Sequence, residues 1–355
     1  MGYLILMTIK VGMIGCGTIS RYHLKKTQEL DSIEVIAAFN RGSYNREEFG
    51  REAGLSGDSL YSDVSKMIRH PGLDAVINCL PNRMHSNISV EALEAGLHVL
   101  CEKPMSSSHQ ESKAMVDAAR KNDKKLFIGL TLRFKGDTLA AKSVVDSAAL
   151  GDIYYANSAW MRRNGIPGWG SQFTRKDLAG AGPIYDIGVH ALDTTCWLMD
   201  DFEADQVLAS SYTKHGPHKR GLEDWGTPDF DGYFDVEDLS SAIIKMKSGA
   251  TISFEVSWAA HVPQERFTVR LVGEEAGLDL ETMMLHTTKD AEEINTSIEF
   301  KEIDPYLGEM KHFVDCIQND KEPITTPSQM LELQATLDMI LLSGEENRVV
   351  KRREV

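Results

Sequence analysis

At 355 residues the chain exceeds the size at which one hydrophobic core stops growing, about 250–300 residues, so two domains are expected. Its 38 Lys and Arg against 53 Asp and Glu leave a net charge of −15, which repels phosphate backbones and speaks against a nucleic-acid partner. The 5 cysteines include no C-x-x-C pair and no apolar run reaches roughly 18 residues, which excludes a disulfide framework, a cysteine-based zinc site and a membrane span.

Cys16, Cys79, Cys101, Cys196 and Cys316 are therefore expected as free thiols in a reducing cytoplasm. The opening apolar stretch, residues 1–7, is too short for a secretory signal. It reads as an extension ahead of a start at Met7 that runs into the first strand.

Residues 10–14 form a short apolar strand that ends at Gly15-Cys-Gly17, and an amphipathic stretch follows over 18–30. Strand, glycine turn and helix in that order are the context of a dinucleotide site. Gly15 and Gly17 let the backbone approach a pyrophosphate, while Thr18 and Ile19 open a helix whose amides and dipole favour an anion. Ser20 replaces the third glycine of the fingerprint and is small enough for close helix–strand packing. A purely structural glycine turn is the alternative.

Further strands are predicted at 35–39, 75–80, 98–101 and 126–129, with helical periods at 46–53, 62–69, 86–95 and 109–121. This βαβ alternation predicts a doubly wound parallel sheet, with ligands bound beyond the carboxyl ends of its strands. Two loops sit at such ends. One carries Pro81, Asn82 and His85, the other Glu102, Lys103 and Pro104. The proline stiffens its loop and limits where Lys103 can point. The second strand ends in Phe39-Asn40-Arg41-Gly42-Ser43, where NAD-binding folds usually carry an acid for the ribose 2′-hydroxyl. An arginine without that acid suits a 2′-phosphate, so NADP is preferred over NAD. In the alternative, Asn40 takes the ribose and Arg41 covers the adenine.

Beyond residue 153 the pattern changes to long alternating strands, at 153–161, 206–212, 239–246, 251–258, 266–272 and 297–301. Lys247-Ser-Gly249 is a hairpin turn between two of them. An α+β domain with a mainly antiparallel open sheet is expected, closed by helices at 306–319 and 328–345. The domains are placed at 1–132 and 133–355. Gly180-Ala181-Gly182-Pro183 opens a helix that runs to about Met199. Asp186, His190 and Asp193 fall on one face of it at i, i+4, i+7. A metal reading of Asp-x-x-x-His lacks clustered Cys or His ligands nearby. A packed histidine on an amphipathic helix is the other alternative. Arg162, Trp169 and Phe173 lie in a stretch rich in arginine and aromatics, and Arg133 follows the last strand of the first half. Aromatics stack on sugar rings and arginines bond hydroxyls, so these residues are candidate substrate contacts.

With these motifs in order, the chain resembles the Gfo/Idh/MocA family, the glucose–fructose oxidoreductase and inositol dehydrogenase group. The resemblance runs through the G-x-G start, Pro81-Asn82-x-x-His85, Ala92-Leu-Glu-Ala-Gly96-Leu-His98-Val, Glu102-Lys103-Pro104 and the Asp186…His190 helix. It continues through Val236-Glu-Asp238, Ser257-Trp258 and Glu309-x-x-x-Phe313. It implies a Rossmann domain, a second domain with an open sheet, homodimers or homotetramers packed through that sheet, and a small polyhydroxylated substrate oxidised or reduced with NAD or NADP. By position, Lys103 is similar to the family's active-site lysine, Asp186 and His190 to its catalytic pair, and Asp193 to a substrate position of the cyclitol dehydrogenases. Gly180-Ala181-Gly182 departs from the family's usual GGG.

The chemistry follows from residue type. An unperturbed imidazole titrates at about 6.5, so His190 can take the alcohol proton as hydride leaves. Lys103 puts positive charge where an alkoxide develops. Asp186 orients the imidazole or holds a neighbouring hydroxyl. Two other functions stay open on this fold. One is an NAD-dependent glycosidase using transient oxidation; the other is a non-catalytic nucleotide-binding regulator.

Overall fold

The computed structural model describes residues 8–355, so the opening stretch to Met7 lies outside the described residues. Two compact units make up the chain. One runs to Thr131 and takes in Asp304–Met330; the other comprises Leu132–Ile303 and Leu331–Val355. A second half running unbroken from 133 to 355 was expected, but the segment 304–330 returns to the first unit.

The first unit alternates strand and helix: β1 (Ile9–Ile14), α1 (Thr18–Gln28), β2 (Ile33–Phe39), α2 (Ser43–Ala53), β3 (Leu60–Tyr61), α3 (Val64–Ile68), β4 (Ala75–Asn78), α4 (His85–Glu94), β5 (His98–Glu102), α5 (His109–Lys121) and β6 (Leu126–Gly129). The strands lie parallel in the order β3-β2-β1-β4-β5-β6. β4 and β6 are buried along their whole length, as parallel strands covered on both faces should be. The order reverses between β1 and β4, and that switch point is where such sheets bind ligands. Helix ends are fixed locally. Ser108 accepts from the Glu111 amide at 3.3 Å to start α5, a cap worth about 1 kcal/mol.

The second unit contains α6 (Gly136–Asp146), β7 (Ile153–Met161), α7 (Lys176–Ala179), α8 (Val189–Met199), β8 (Ala204–Tyr212), β9 (Leu239–Met246), β10 (Thr251–Ser257), β11 (Arg266–Gly273), β12 (Gly277–Asp279), β13 (Met284–Lys289), β14 (Glu292–Ser297) and β15 (Val350–Lys351). They build a nine-stranded sheet in the order β14-β13-β12-β11-β7-β10-β9-β8-β15, antiparallel except where β7 meets β10. The expected hairpin between β9 and β10 is present, with Gly249 at φ +101° donating to the Met246 carbonyl. One face of the sheet carries α8. The opposite face leaves Leu208 and Ile243, directly paired across β8 and β9, about half exposed at 50% and 51%.

The strand expected at 297–301 is displaced: β14 ends at Ser297. Its register follows from the hairpin with β13, which turns at Asp290-Ala291, both at positive φ. That two-residue turn matches the strand twist without the Asn-Gly signature that would reveal it.

Two helices complete the chain, α9 (Pro305–Gln318) and α10 (Pro327–Glu346). Asp304 caps α9 by accepting from the Leu307 amide at 3.0 Å, with Pro305 in its first turn. Within the first unit Phe313 of α9 packs edge-on to Phe127 of β6, with ring centroids 5.8 Å apart.

Candidate active site

The glycine turn after β1 is built to leave backbone open. Gly15 sits at φ +90°, and a Cβ there would come within 2.9 Å of the Cys79 carbonyl. A Cβ on Gly17 would meet nothing within 4 Å. Gly17 is the N-cap of α1, no side chain bonds the helix start, and no acid lies in its first turn. The first amides, at Gly17, Thr18 and Ile19, therefore present a positive dipole end with room for a phosphate group. Ser20 is buried and donates to the Gly17 carbonyl at 2.8 Å, so the substituted third glycine is absorbed without opening the packing. These residues fit a dinucleotide.

At the end of β2 the Asn40 side chain faces inward, accepting from the Cys16 amide at 3.2 Å and donating to the Gly42 carbonyl at 3.0 Å. Arg41 is exposed. Arg46, which sequence reasoning passed over, donates to the Asn40 carbonyl at 2.8 Å and steadies the turn.

The next two loops contain braces as well as candidate contacts. Pro81 and Asn82 are partly exposed at the carboxyl end of β4. His85 is buried, and both ring nitrogens face backbone carbonyls, Pro104 at 2.8 Å and Leu80 at 2.7 Å. It ties the two loops together; burial pushes its pKa below the usual imidazole value. These bonds hold the loop in which it was expected as a cofactor contact. Glu102, also expected as a cofactor contact, braces the same region. Its carboxylate pairs with His23 Nε2 of α1 at 2.7 Å and accepts from the Lys103 amide at 3.2 Å. Glu102 thus links the helix of the glycine turn to the loop that bears Lys103. Lys103 itself is partly exposed.

Two residues of this region had no role assigned from the sequence, although Glu309 stands in one of the family motifs. His23 is wholly buried and gave no signal beyond its place on α1. Glu309 of α9 is also wholly buried, and among the described residues neither carboxylate oxygen finds a hydrogen-bond partner. Burial first, then the charge of Glu102, push its pKa well above the usual carboxylate value.

In the second unit, residues Ile184–Gly188 form one wide π turn that leads into α8, where a uniform α-helix was expected. Such turns are rare and concentrate at functional sites. Asp186 and His190 are partly exposed on this segment. Trp258 is wholly buried and donates its indole N–H to Asp186 Oδ2 at 2.9 Å. The Trp160 ring lies 6.1 Å from the His190 ring, tilted by 54°.

Asp193 lies about one turn beyond His190 on α8. It is 1% exposed and accepts two bonds from the wholly buried Arg133, at 2.9 and 2.6 Å. The guanidinium also lies over the rings of Trp197 and Phe202 at 5.5 and 5.4 Å. The two residues, expected as substrate contacts, form an ion pair inside the second unit.

The remaining candidates divide similarly. Trp169 is buried with its indole N–H on the Gly216 carbonyl at 2.7 Å, and it stacks on Phe230. Arg162 bonds Glu265 at 3.1 Å and Glu223 at 3.2 Å, its guanidinium over Trp160. These two shape the loops. Phe173 is partly exposed beside Gly168 and Gly226.

A glycine turn on a doubly wound sheet, together with a unit that presents an acid on a wide helical turn and an imidazole on the helix it leads into, defines a nucleotide-dependent oxidoreductase. The chain belongs to the Gfo/Idh/MocA family: residues 9–130 match its oxidoreductase, NAD-binding Rossmann domain, and residues 138–279 match its C-terminal domain. D-glucoside 3-dehydrogenase of Escherichia coli (strain K12) is 29% identical over 342 residues, 95% of each chain. The scyllo-inositol 2-dehydrogenase (NAD(+)) of Bacillus subtilis (strain 168) is 24% identical over 339 residues, 93% of this chain and 91% of that protein. The structure of a levoglucosan dehydrogenase in complex with NADH and levoglucosan superposes with a TM-score of 0.81 at 22% identity, covering 97% of this chain and 99% of that one. Among the described residues no helix is long and apolar enough to cross a membrane.

Proposed function

We propose that this oxidoreductase moves hydride between NADP or NAD and a secondary alcohol of a sugar, cyclitol or related polyol. The observation that carries the reading is the Asp186–His190 turn. Two polar side chains stay partly exposed on an otherwise buried segment, with Asp186 steadied by a buried indole. The dinucleotide supplies the hydride acceptor. His190 takes the hydroxyl proton, Asp186 holds the imidazole or a neighbouring hydroxyl, and Lys103 stabilises the developing alkoxide. The named activities of the relatives, on a glucoside, an inositol and an anhydrosugar complex, support a polyhydroxylated substrate.

Arg41 would meet a 2′-phosphate, and no acid stands at the end of β2 to repel it. A second copy of the chain is the proposed partner, joined through the open sheet. The setting is a reducing cytoplasm, in keeping with five free cysteines.

The test is a panel of free polyols and aldoses with each cofactor, followed at 340 nm, on the wild type and on His190→Asn. Net cofactor reduction by the wild type is expected, with kcat falling as pH drops, and a strong loss of kcat in the variant. Cofactor returned unchanged while glycosides are cleaved would establish the glycosidase instead. Arg41→Ala should weaken NADP binding far more than NAD binding by calorimetry. Equal losses would reduce Arg41 to an adenine cover.

A further inference from the structure

The Val236-Glu-Asp238 segment has no part in the chemistry above, yet it holds the turn that carries the chemistry. The Glu237 carboxylate accepts from the Gly182 amide with both oxygens, at 2.9 and 3.0 Å, and from the Ile184 amide at 3.2 Å. Those are amides at the start of the π turn, which side chains elsewhere in the segment do not cap. The Glu237 backbone presses there too: a Cβ on Gly182 would come within 2.2 Å of its carbonyl. A second route runs through the next residue. The Asp238 carbonyl accepts from the Trp258 amide at 3.0 Å, and Trp258 is the residue whose indole holds Asp186. Asp238 also gathers the amides of Lys214, His215 and Gly216 on one carboxylate oxygen, at 2.7, 2.6 and 3.0 Å. Gly216 is the residue whose carbonyl takes the Trp169 indole.

We propose that Glu237 is a positioning residue for the reaction, fixing the start of the turn so that Asp186 and His190 are held in their working orientation. The inference rests on the assignment of Asp186 and His190 to catalysis. Gly182-x-Ile184 and Glu237 form one joint between distant parts of the second unit, and the helix cannot shift along its axis without breaking it.

The joint is sensitive to protonation. Burial pushes the Glu237 carboxyl up to about 7, against the opposing pull of the Gly182 and Ile184 amides and of Lys176 on α7. The other titratable groups near it are Tyr185 on the turn, Asp238 next in the chain, and Asp235, which accepts from the Lys176 amide. Tyr185 is pushed far up by its own burial and stays neutral. An ionised Glu237 offers two acceptors. A protonated one offers an acceptor and a donor, and the donor opposes an amide N–H.

Glu237→Gln has the shape and the donor–acceptor pattern of the protonated form. Above pH 8 its kcat should fall on the order of 10- to 100-fold, the scale on which a catalytic group misplaced by about 1 Å loses rate. Nucleotide affinity should be unchanged. Below pH 6 the ratio of wild-type to variant kcat should shrink towards one, because the two side chains then match. Glu237→Asp, which retains ionisation, should regain part of the pH dependence.

Hydrogen exchange of the wild type, corrected for intrinsic rates, gives a second readout. Protection of amides 182–190 should rise through pH 7 in the wild type and show no step in Glu237→Gln. A constant rate ratio across pH, or no step in the wild type, overturns the proposal. His190→Asn separates the two levels: full activity in that variant removes the catalytic assignment, while the exchange step still reports on the joint.

Discussion

Arg133 and Asp193 show how burial decides the meaning of a charged residue. Both were legible as candidate ligands, since an arginine after a Rossmann strand and an aspartate on the His190 stripe have the right chemistry. Their side chains are 0% and 1% exposed and close on each other in a bidentate pair. Removing one partner strips the other buried charge of its ion pair, which costs about 3–5 kcal/mol, whereas replacing both with apolar groups of similar volume can be nearly neutral. Asp193→Ala should therefore lower stability by about that amount in urea unfolding. The double variant Arg133→Met, Asp193→Leu should recover most of the loss. A stable Asp193→Ala with a raised substrate KM would restore the substrate-contact role. Lys103, Asp186 and His190 are partly exposed, while His85 bonds neighbouring backbone and Glu102 pairs with His23. Sequence supplies the residue type and its place at a strand end or on a helix. It does not supply the long-range partner, and so the role of Glu237 could not be read from the Val236-Glu-Asp238 motif that contains it.

At the scale of elements, the parallel sheet was legible because hydrophobic strands and amphipathic helices alternate over short, well-marked distances. All five strands read in the first half are present, and the helix at 109–121 matches α5 at both ends. β3 was missed because two residues carry no period, and α6 because its start at Gly136 is set by packing: a Cβ there would lie 1.7 Å from the Lys301 carbonyl. The wide turn at 184–188 likewise has no period of its own. Gly188 packs against β10, where a Cβ would meet the Phe254 ring at 3.0 Å.

An element-level prediction concerns the join between β5 and the segment before β6. His98 Nδ1 accepts from the Lys125 amide at 3.0 Å, which requires that nitrogen to be unprotonated. Burial, then Lys124 and Lys125, push the imidazole down to about 4 from its ordinary 6.5. A depressed folded value means that the unfolded chain binds more protons between 6.5 and 4. The contribution to stability is therefore present above pH 6.5 and is lost as pH falls through about 4. His98→Asn should flatten the melting temperature in that window. An unchanged acid slope would assign the loss to other groups.

At the scale of the whole molecule, the open sheet in the second unit poses the remaining physical question. Antiparallel sheets commonly pack one face and wet the other, and the wet face is then polar. Here the uncovered face alternates small polar residues with apolar ones. Ser253 and Thr251 of β10 sit beside Ile243 of β9 and Tyr155 of β7, and Ile243 faces Leu208 of β8. Leu208 and Ile243 form a directly opposed pair on β8 and β9, 50% and 51% exposed, with only the short edge strand β15 beyond β8. Scattered single apolar residues need no explanation, but an opposed pair flanked by small side chains makes a flat surface that a second copy can match by symmetry. A two-fold interface repeats each contact, so a charge placed on this pair faces its own copy as well as losing apolar burial. Leu208→Glu with Ile243→Glu should therefore leave a folded monomer by light scattering, while the wild type runs as a dimer or tetramer. Because the substitutions lie on the sheet face opposite α8, circular dichroism and cofactor affinity should be retained. A wild type that is monomeric at micromolar concentration, or a double variant with unchanged mass, would mean that this face is solvated and that its apolar pair is incidental.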